Sequence, residues 1–191
     1  NMTSVVKDIM EKMKELESIA KLAKRLKLWI IISIQIPPGG KDENGTYQIF
    51  NNKAYYDEYM DLWEVIDKKI KNNSERIYAY DLINEPTPNY GGYIHFLELQ
   101  RLAIEKIRNI NPNIPIIVSS TKNNYNDMIP FNYSNIIYKL NYYNPYEYTH
   151  QGLNNYTNEL DYPCNINNIV WNKDKIKKDL NGFISFLEKY N

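Results

Sequence analysis

Ile77-Tyr78-Ala79-Tyr80-Asp81-Leu82-Ile83-Asn84-Glu85-Pro86 opens apolar and closes polar, and Pro88 follows two residues later. A run this short, apolar and closed by prolines reads as a buried strand feeding a loop. Upstream, Trp29-Ile30-Ile31-Ile32-Ser33-Ile34 has the same character and stops at Pro37-Pro38-Gly39-Gly40. Downstream, Ile114 to Val118 and Asn135 to Leu140 supply two more strands. Helical spacing fills the intervals. Residues 3–27 place Ile9, Met13, Leu16, Ala20 and Ala23 on one face, and Tyr55, Met60, Trp63, Ile66 and Ile70 repeat the pattern. Ile94 to Ile110 and Lys173 to Tyr190 are the remaining helices, and Trp63 is assigned to the core. Helices alternating with doubly buried strands imply a parallel sheet with crossover helices, so the fold class is α/β. Four strands in 191 residues is half of an eight-stranded barrel, which takes about 250 residues. The sheet is therefore expected to be either open or a piece of a barrel.

Composition narrows the function. With 23 Lys+Arg against 23 Asp+Glu, the chain lacks the excess of positive charge that a phosphate backbone selects, so nucleic acid is not expected as a partner. The longest apolar runs fall far short of the roughly 20 residues of a membrane span. One cysteine, Cys164, and two histidines exclude a disulfide framework and argue against a metal centre, and no cofactor is expected. A phosphate-binding α/β domain would want a Gly-rich strand-to-helix turn, which Pro37 to Gly40 does not provide. Asparagine supplies roughly one residue in seven, so the sequons at Asn44, Asn132 and Asn155 are read as products of composition. No basic region followed by an apolar run marks a signal peptide, and localisation stays open.

The chemistry concentrates at Asn84-Glu85-Pro86. Pro86 disfavours the helical region for the residue before it, so Glu85 is expected to be extended at the carboxyl end of its strand, where ligands of parallel α/β folds bind. A carboxyl kept protonated by apolar walls donates to a leaving-group oxygen and then acts as base toward water, the double role of retaining glycoside hydrolysis. Asn84 beside it can hydrogen-bond a sugar hydroxyl.

Four ordered segments extend this pattern. Ile32 to Gly40, Tyr80 to Pro86, Ile114 to Ser120, and Tyr138-Lys139-Leu140-Asn141-Tyr142-Tyr143-Asn144-Pro145 with Tyr148-Thr149-His150-Gln151-Gly152 together resemble the third to sixth strands of glycoside hydrolase family 5. That family comprises retaining barrel enzymes, many of them cellulases. The resemblance implies a partial (β/α)8 TIM barrel over residues 1–191, a single catalytic domain incomplete at both ends. It further implies a β-glycan substrate, no cofactor, and an extracellular or periplasmic location. Glu85 matches the acid/base and Tyr143 the tyrosine whose hydroxyl supports the nucleophile. That nucleophile, a Glu ending the seventh strand, has no counterpart here. Gln35 and Asn141 stand where the family places histidines. Both can orient a sugar, but neither titrates near neutral pH. The alternative to an enzyme is therefore a carbohydrate-binding pseudoenzyme using Gln35, Asn84, Asn141 and Tyr143.

Trp171 and Tyr90, near expected loops, are candidates for stacking on a sugar ring. His150 and Glu147 are read as surface-loop residues, and Asp81 as a structural carboxylate bonded to a neighbouring strand.

Overall fold

The computed structural model describes residues 4–121, 128–153, 156 and 159–190, with the side chains of residues 4–8 left aside. Thr3, the first residue of the expected opening helix, and Asn155 and Thr157 of the third sequon lie outside the described residues. The chain forms two compact units, one of residues 1–119 with 131–139 and one of residues 120–130 with 140–191.

Among the described residues, the first unit holds a four-stranded sheet and three α-helices. Strands β1 (Ile30–Ser33), β2 (Ile77–Asp81), β3 (Ile116–Ser119) and β4 (Ile136–Lys139) lie side by side in chain order, every pair parallel. Helix α1 (Ser4–Leu26) precedes β1, α2 (Lys53–Ile70) connects β1 to β2, and α3 (Phe96–Ile110) connects β2 to β3. This is the repeating β-helix-β arrangement from which an eight-stranded barrel is built. Every strand and helix expected from the sequence in this unit is present, with ends shifted by a few residues at most.

The start of α2 is visible in its sequence. Asn52 caps α2 by accepting a hydrogen bond from the Ala54 amide, which satisfies one of the orphan donors at a helix start. From α2, the buried residues Tyr59, Met60, Trp63, Ile66 and Ile70 face inward. The Trp63 indole stacks on the Tyr80 ring of β2 at 5.2 Å between centroids. The Tyr80 hydroxyl donates to buried Asp67 at 2.7 Å, and Asn111 after α3 donates to the same oxygen at 2.9 Å. Burial and this carboxylate push the Tyr80 hydroxyl well above the ordinary tyrosine pKa. At the solvent face, Glu17 of α1 takes Lys21 on its own helix and Lys69 of α2, whose hydrogen bonds hold its carboxyl down at about 2.

Helix α3 is joined to the sheet by a side chain acting as a peptide. Gln100, fully buried, accepts from the Ser119 amide at 2.8 Å and donates to the Ser119 carbonyl at 3.1 Å. At the other end of α3, Arg108 donates to the carbonyls of Ile114 and Ser134, both at 2.7 Å, which fixes the entries to β3 and β4. The edge strand β1 is less covered. Trp29 beside it and Ile31 within it are more than half exposed, with Arg76 lying 5.0 Å over the Trp29 ring. No helix among the described residues is long and apolar enough to cross a membrane.

The second unit contains the short helix α4 (Tyr146–Thr149), an antiparallel hairpin of β5 (Cys164–Ile166) and β6 (Ile169–Trp171), and helix α5 (Lys173–Tyr190). The hairpin was not expected from the sequence. Its two-residue turn is Asn167-Asn168, both at positive φ (52° and 64°), the backbone that matches the twist of paired strands and that Asn tolerates.

Candidate active site

Beyond the last ladder residues of β1 and β2 the pairing continues for a few residues. The Ile34 amide donates to the Asp81 carbonyl at 3.2 Å and the Asn84 amide to the Ile34 carbonyl at 3.1 Å. Gln35 and Asn84-Glu85 therefore stand on one rim, the carboxyl ends of adjacent parallel strands. That is the rim on which barrels carry their chemistry.

Where the ladder gives out, hydroxyl groups take over. Three successive carbonyls find three different donors: Leu82 receives the Tyr59 hydroxyl at 2.9 Å, Ile83 the Ser119 hydroxyl at 3.1 Å, and Asn84 the Tyr47 hydroxyl at 3.2 Å. A buried loop carbonyl without a partner is costly, so these contacts fix the path of the backbone into Glu85. The Tyr47 hydroxyl also lies 2.9 Å from the Gln35 carbonyl, joining the two strand ends in one forked bond. Burial raises the Tyr47 hydroxyl above its ordinary pKa, and the charge of Glu85 adds to the effect.

Glu85 departs from the sequence expectation. Its φ is +43°, in the left-handed region, and it is not extended. Pro86 disfavours the right-handed helical region for Glu85, but it leaves the left-handed one to be decided by what holds the chain on either side. Here the Asn84 carbonyl is tied to Tyr47 before the turn, and the Thr87 carbonyl accepts from the Tyr47 amide at 3.1 Å after it. A non-glycine residue in this region costs on the order of 1–3 kcal/mol, and such residues collect at functional sites.

Tyr47 is delivered by the Pro37-Pro38-Gly39-Gly40 loop. Gly39 sits at φ +85°, and a Cβ there would collide with the Tyr55 ring, so the tight return of the chain requires glycine. Asp42 then accepts from the Asn44 and Thr46 amides, both at 2.9 Å, closing the loop on itself. Thr87 ties the far side by donating from its hydroxyl to the Gly45 carbonyl at 2.7 Å.

A polar chain runs across the sheet below this rim. The Gln35 amide donates to the Ser33 hydroxyl at 2.9 Å, and Ser33 donates to Asp81 at 2.9 Å. Lys139 at the end of β4 reaches over β3 to the same Asp81 oxygen at 2.6 Å and to the Asn84 side-chain oxygen at 3.4 Å. Asp81 is thus the structural carboxylate expected, bonded to β1 and β4. Lys139 and Tyr47 were not singled out from sequence. A lysine in a half-apolar strand gives no local signal, and Tyr47 is one of 18 tyrosines.

In the second unit, Asn141 follows β4 by two residues and is half-buried. Tyr143 is half-buried as well, its ring 6.1 Å from Tyr146 and 5.8 Å from His150. The Tyr143 carbonyl accepts from the Thr149 hydroxyl at 2.6 Å. His150 therefore belongs to an aromatic cluster, and Glu147 lies in the first turn of α4. Trp171, expected near a loop, stands in β6 and is only 9% exposed, with the Lys175 ammonium 4.5 Å over its ring. Tyr90 is 64% exposed. Among the described residues, no three His, Cys, Asp or Glu side chains gather as ligands for a metal ion.

Parallel strands laid side by side in chain order by connecting helices define the class of β/α-repeat folds to which the (β/α)8 barrel belongs, and Asn84-Glu85 stands at the carboxyl rim of its second strand here. Within that class, the family model of cellulase, glycosyl hydrolase family 5, matches residues 4–183, and the chain belongs to this family. It is 27% identical over 147 residues to cellodextrinase A of Ruminococcus flavefaciens, covering 72% of this chain and 42% of that protein. It is 24% identical over 198 aligned positions to endoglucanase C of Acetivibrio thermocellus, covering 87% of this chain and 56% of that one. The chain thus spans about half the length of the curated relatives it matches. Among solved structures, a glycoside hydrolase superposes with a TM-score of 0.72 at 20% identity, over 89% of this chain and 55% of the other. The cellulose synthase subunit Z of Clostridioides difficile gives 0.69 at 20% identity, over 94% and 58%. These likenesses show the fold, a sheet corresponding to part of a (β/α)8 barrel.

Proposed function

We propose that this chain carries the acid/base half of a retaining hydrolase of β-linked glucans or related glycans. Glu85 protonates the departing glycosidic oxygen and then activates the water that releases the sugar. Asn84 binds a hydroxyl of the sugar undergoing attack, Gln35 and Asn141 orient the substrate in place of the histidines found elsewhere in the family, and Tyr143 supports the nucleophile. The nucleophile is assigned to a strand beyond the four described. The observation that carries the reading is the Asn84-Glu85 pair at the carboxyl rim of β2, on a backbone tied carbonyl by carbonyl into one conformation. The names of the relatives, a cellodextrinase and an endoglucanase, favour a β-glucan. A sugar-stacking ring needs an open face, so Tyr90 suits that task better than Trp171.

Retaining chemistry places its two carboxyl groups about 5–5.5 Å apart and passes through a covalent glycosyl-enzyme. The 191-residue chain incubated with a 2-deoxy-2-fluoro activated glycoside is therefore expected to show no added mass by intact-mass spectrometry, whereas a form of the protein with the complete barrel acquires one glycosyl unit. An adduct on the short chain would place a nucleophile within these residues and refute the assignment. A whole-barrel protein that binds glycan without forming an adduct would favour the pseudoenzyme, a reading supported by Gln35 and Asn141 standing where the resemblance implies histidines.

A further inference from the structure

Tyr47 meets the turn that carries Glu85 from two directions. Its hydroxyl donates to the carbonyl of Asn84, the residue before Glu85, and its own backbone amide donates to the carbonyl of Thr87, two residues after. The pair Thr87 hydroxyl to Gly45 carbonyl reinforces the second contact from the same loop. Between the two anchor points lie only Glu85, at φ +43°, and the rigid ring of Pro86. The phenol itself is held still. It is 2% exposed, shares its hydroxyl with the Gln35 carbonyl, and has the Lys41 ammonium 4.7 Å over its ring.

We propose that Tyr47 is a positioning residue for Glu85, gripping the backbone on both sides of it and thereby holding the left-handed conformation that sets where the carboxyl leaves the chain. The inference rests on the reading of Glu85 as acid/base for its functional meaning, but not for its geometry. A positive φ is uncommon for a residue other than glycine, and the proline that follows already disfavours the right-handed helical region. Tyr47 supplies a tether from another part of the fold, at both ends of the turn.

The test is nuclear magnetic resonance on the isotope-labelled protein, reading the intraresidue amide to Hα Overhauser effect of Glu85, which is strong when φ is positive. In Tyr47→Phe, which keeps the buried ring and removes the hydroxyl, the strong effect at Glu85 is expected to be lost. Tyr59→Phe is the control. It removes an equally buried hydroxyl from the Leu82 carbonyl of the same loop, and Glu85 should keep its signal. Persistence of the signal in Tyr47→Phe, or its loss in both variants alike, overturns the proposal. If Tyr47→Phe does not fold, 4-fluorophenylalanine at position 47, which fills the space of the hydroxyl without donating a hydrogen bond, is read by the same signal, whose loss supports the tether and whose persistence overturns it. In the whole-barrel protein, Tyr47→Phe should also lower kcat while leaving KM unchanged. Absence of glycoside turnover in the unmutated whole-barrel protein would sink the functional reading of Glu85 while the Overhauser result still decides the role of Tyr47.

Discussion

In the whole-barrel protein, Glu85→Gln lowers kcat/KM on an unactivated β-glucan by about 10²–10⁴-fold, the usual contribution of a general acid. The substitution keeps the size of the side chain and its capacity for hydrogen bonds but can neither donate nor recover a proton in catalysis. A sugar alkoxide is a poor leaving group, so the first step on cellulose or cellodextrin needs that proton. A dinitrophenolate leaves without it. With a dinitrophenyl β-glycoside the first step should therefore be nearly intact in Glu85→Gln and the second slow, so that the glycosyl-enzyme accumulates and a burst of phenolate precedes steady turnover. Azide, which needs no base to activate it, should restore steady turnover and leave as the β-glycosyl azide. Equal losses on both substrates, without a burst and without rescue by azide, would remove the acid/base role from Glu85.

Lys139→Met is expected to cost about 3–5 kcal/mol of folding stability, the range for removing one member of a buried ion pair. Its partner Asp81 is 6% exposed, and one carboxylate oxygen has no hydrogen-bond partner among the described residues. The other oxygen takes both the Lys139 ammonium and the Ser33 hydroxyl. Without the ammonium, a carboxylate stays buried with one neutral donor. The loss should appear as a lower urea midpoint with an unchanged slope. The double variant Asp81→Asn with Lys139→Met should recover much of it, because both charges go together. If the single variant loses under about 1 kcal/mol, the range of a solvated surface pair, then Lys139 does not hold β2 to β4.

The sheet was legible because four short β-branched runs are each closed by a polar or proline-rich loop, and helical spacing between them leaves few alternatives. The place of Glu85 past the carboxyl end of β2 was legible because Asn84 and Pro86 close the apolar run there. Its conformation was not. Proline says which region its neighbour avoids, and the remaining choice belongs to Tyr47, which is 38 residues away in the chain. Lys139 was invisible for a related reason. Its partner Asp81 is 58 residues distant, and only the parallel order β2-β3-β4 brings the two within reach of a lysine side chain. The hairpin β5-β6 had a local signal in Asn167-Asn168, but in a chain so rich in asparagine that dipeptide does not stand out.

The peptide-like grip of Gln100 on Ser119 makes one backbone amide a reporter of a particular motion. Most strand amides are released to solvent when neighbouring strands part. The Ser119 amide donates to the Gln100 side chain of α3, so it is expected to exchange its hydrogen when the helix lifts from the sheet. The Leu82 amide, which donates to the Ile117 carbonyl, exchanges when β2 separates from β3. Comparing the two protection factors separates undocking of a helix from opening of the sheet, two events that a denaturation curve reads as one.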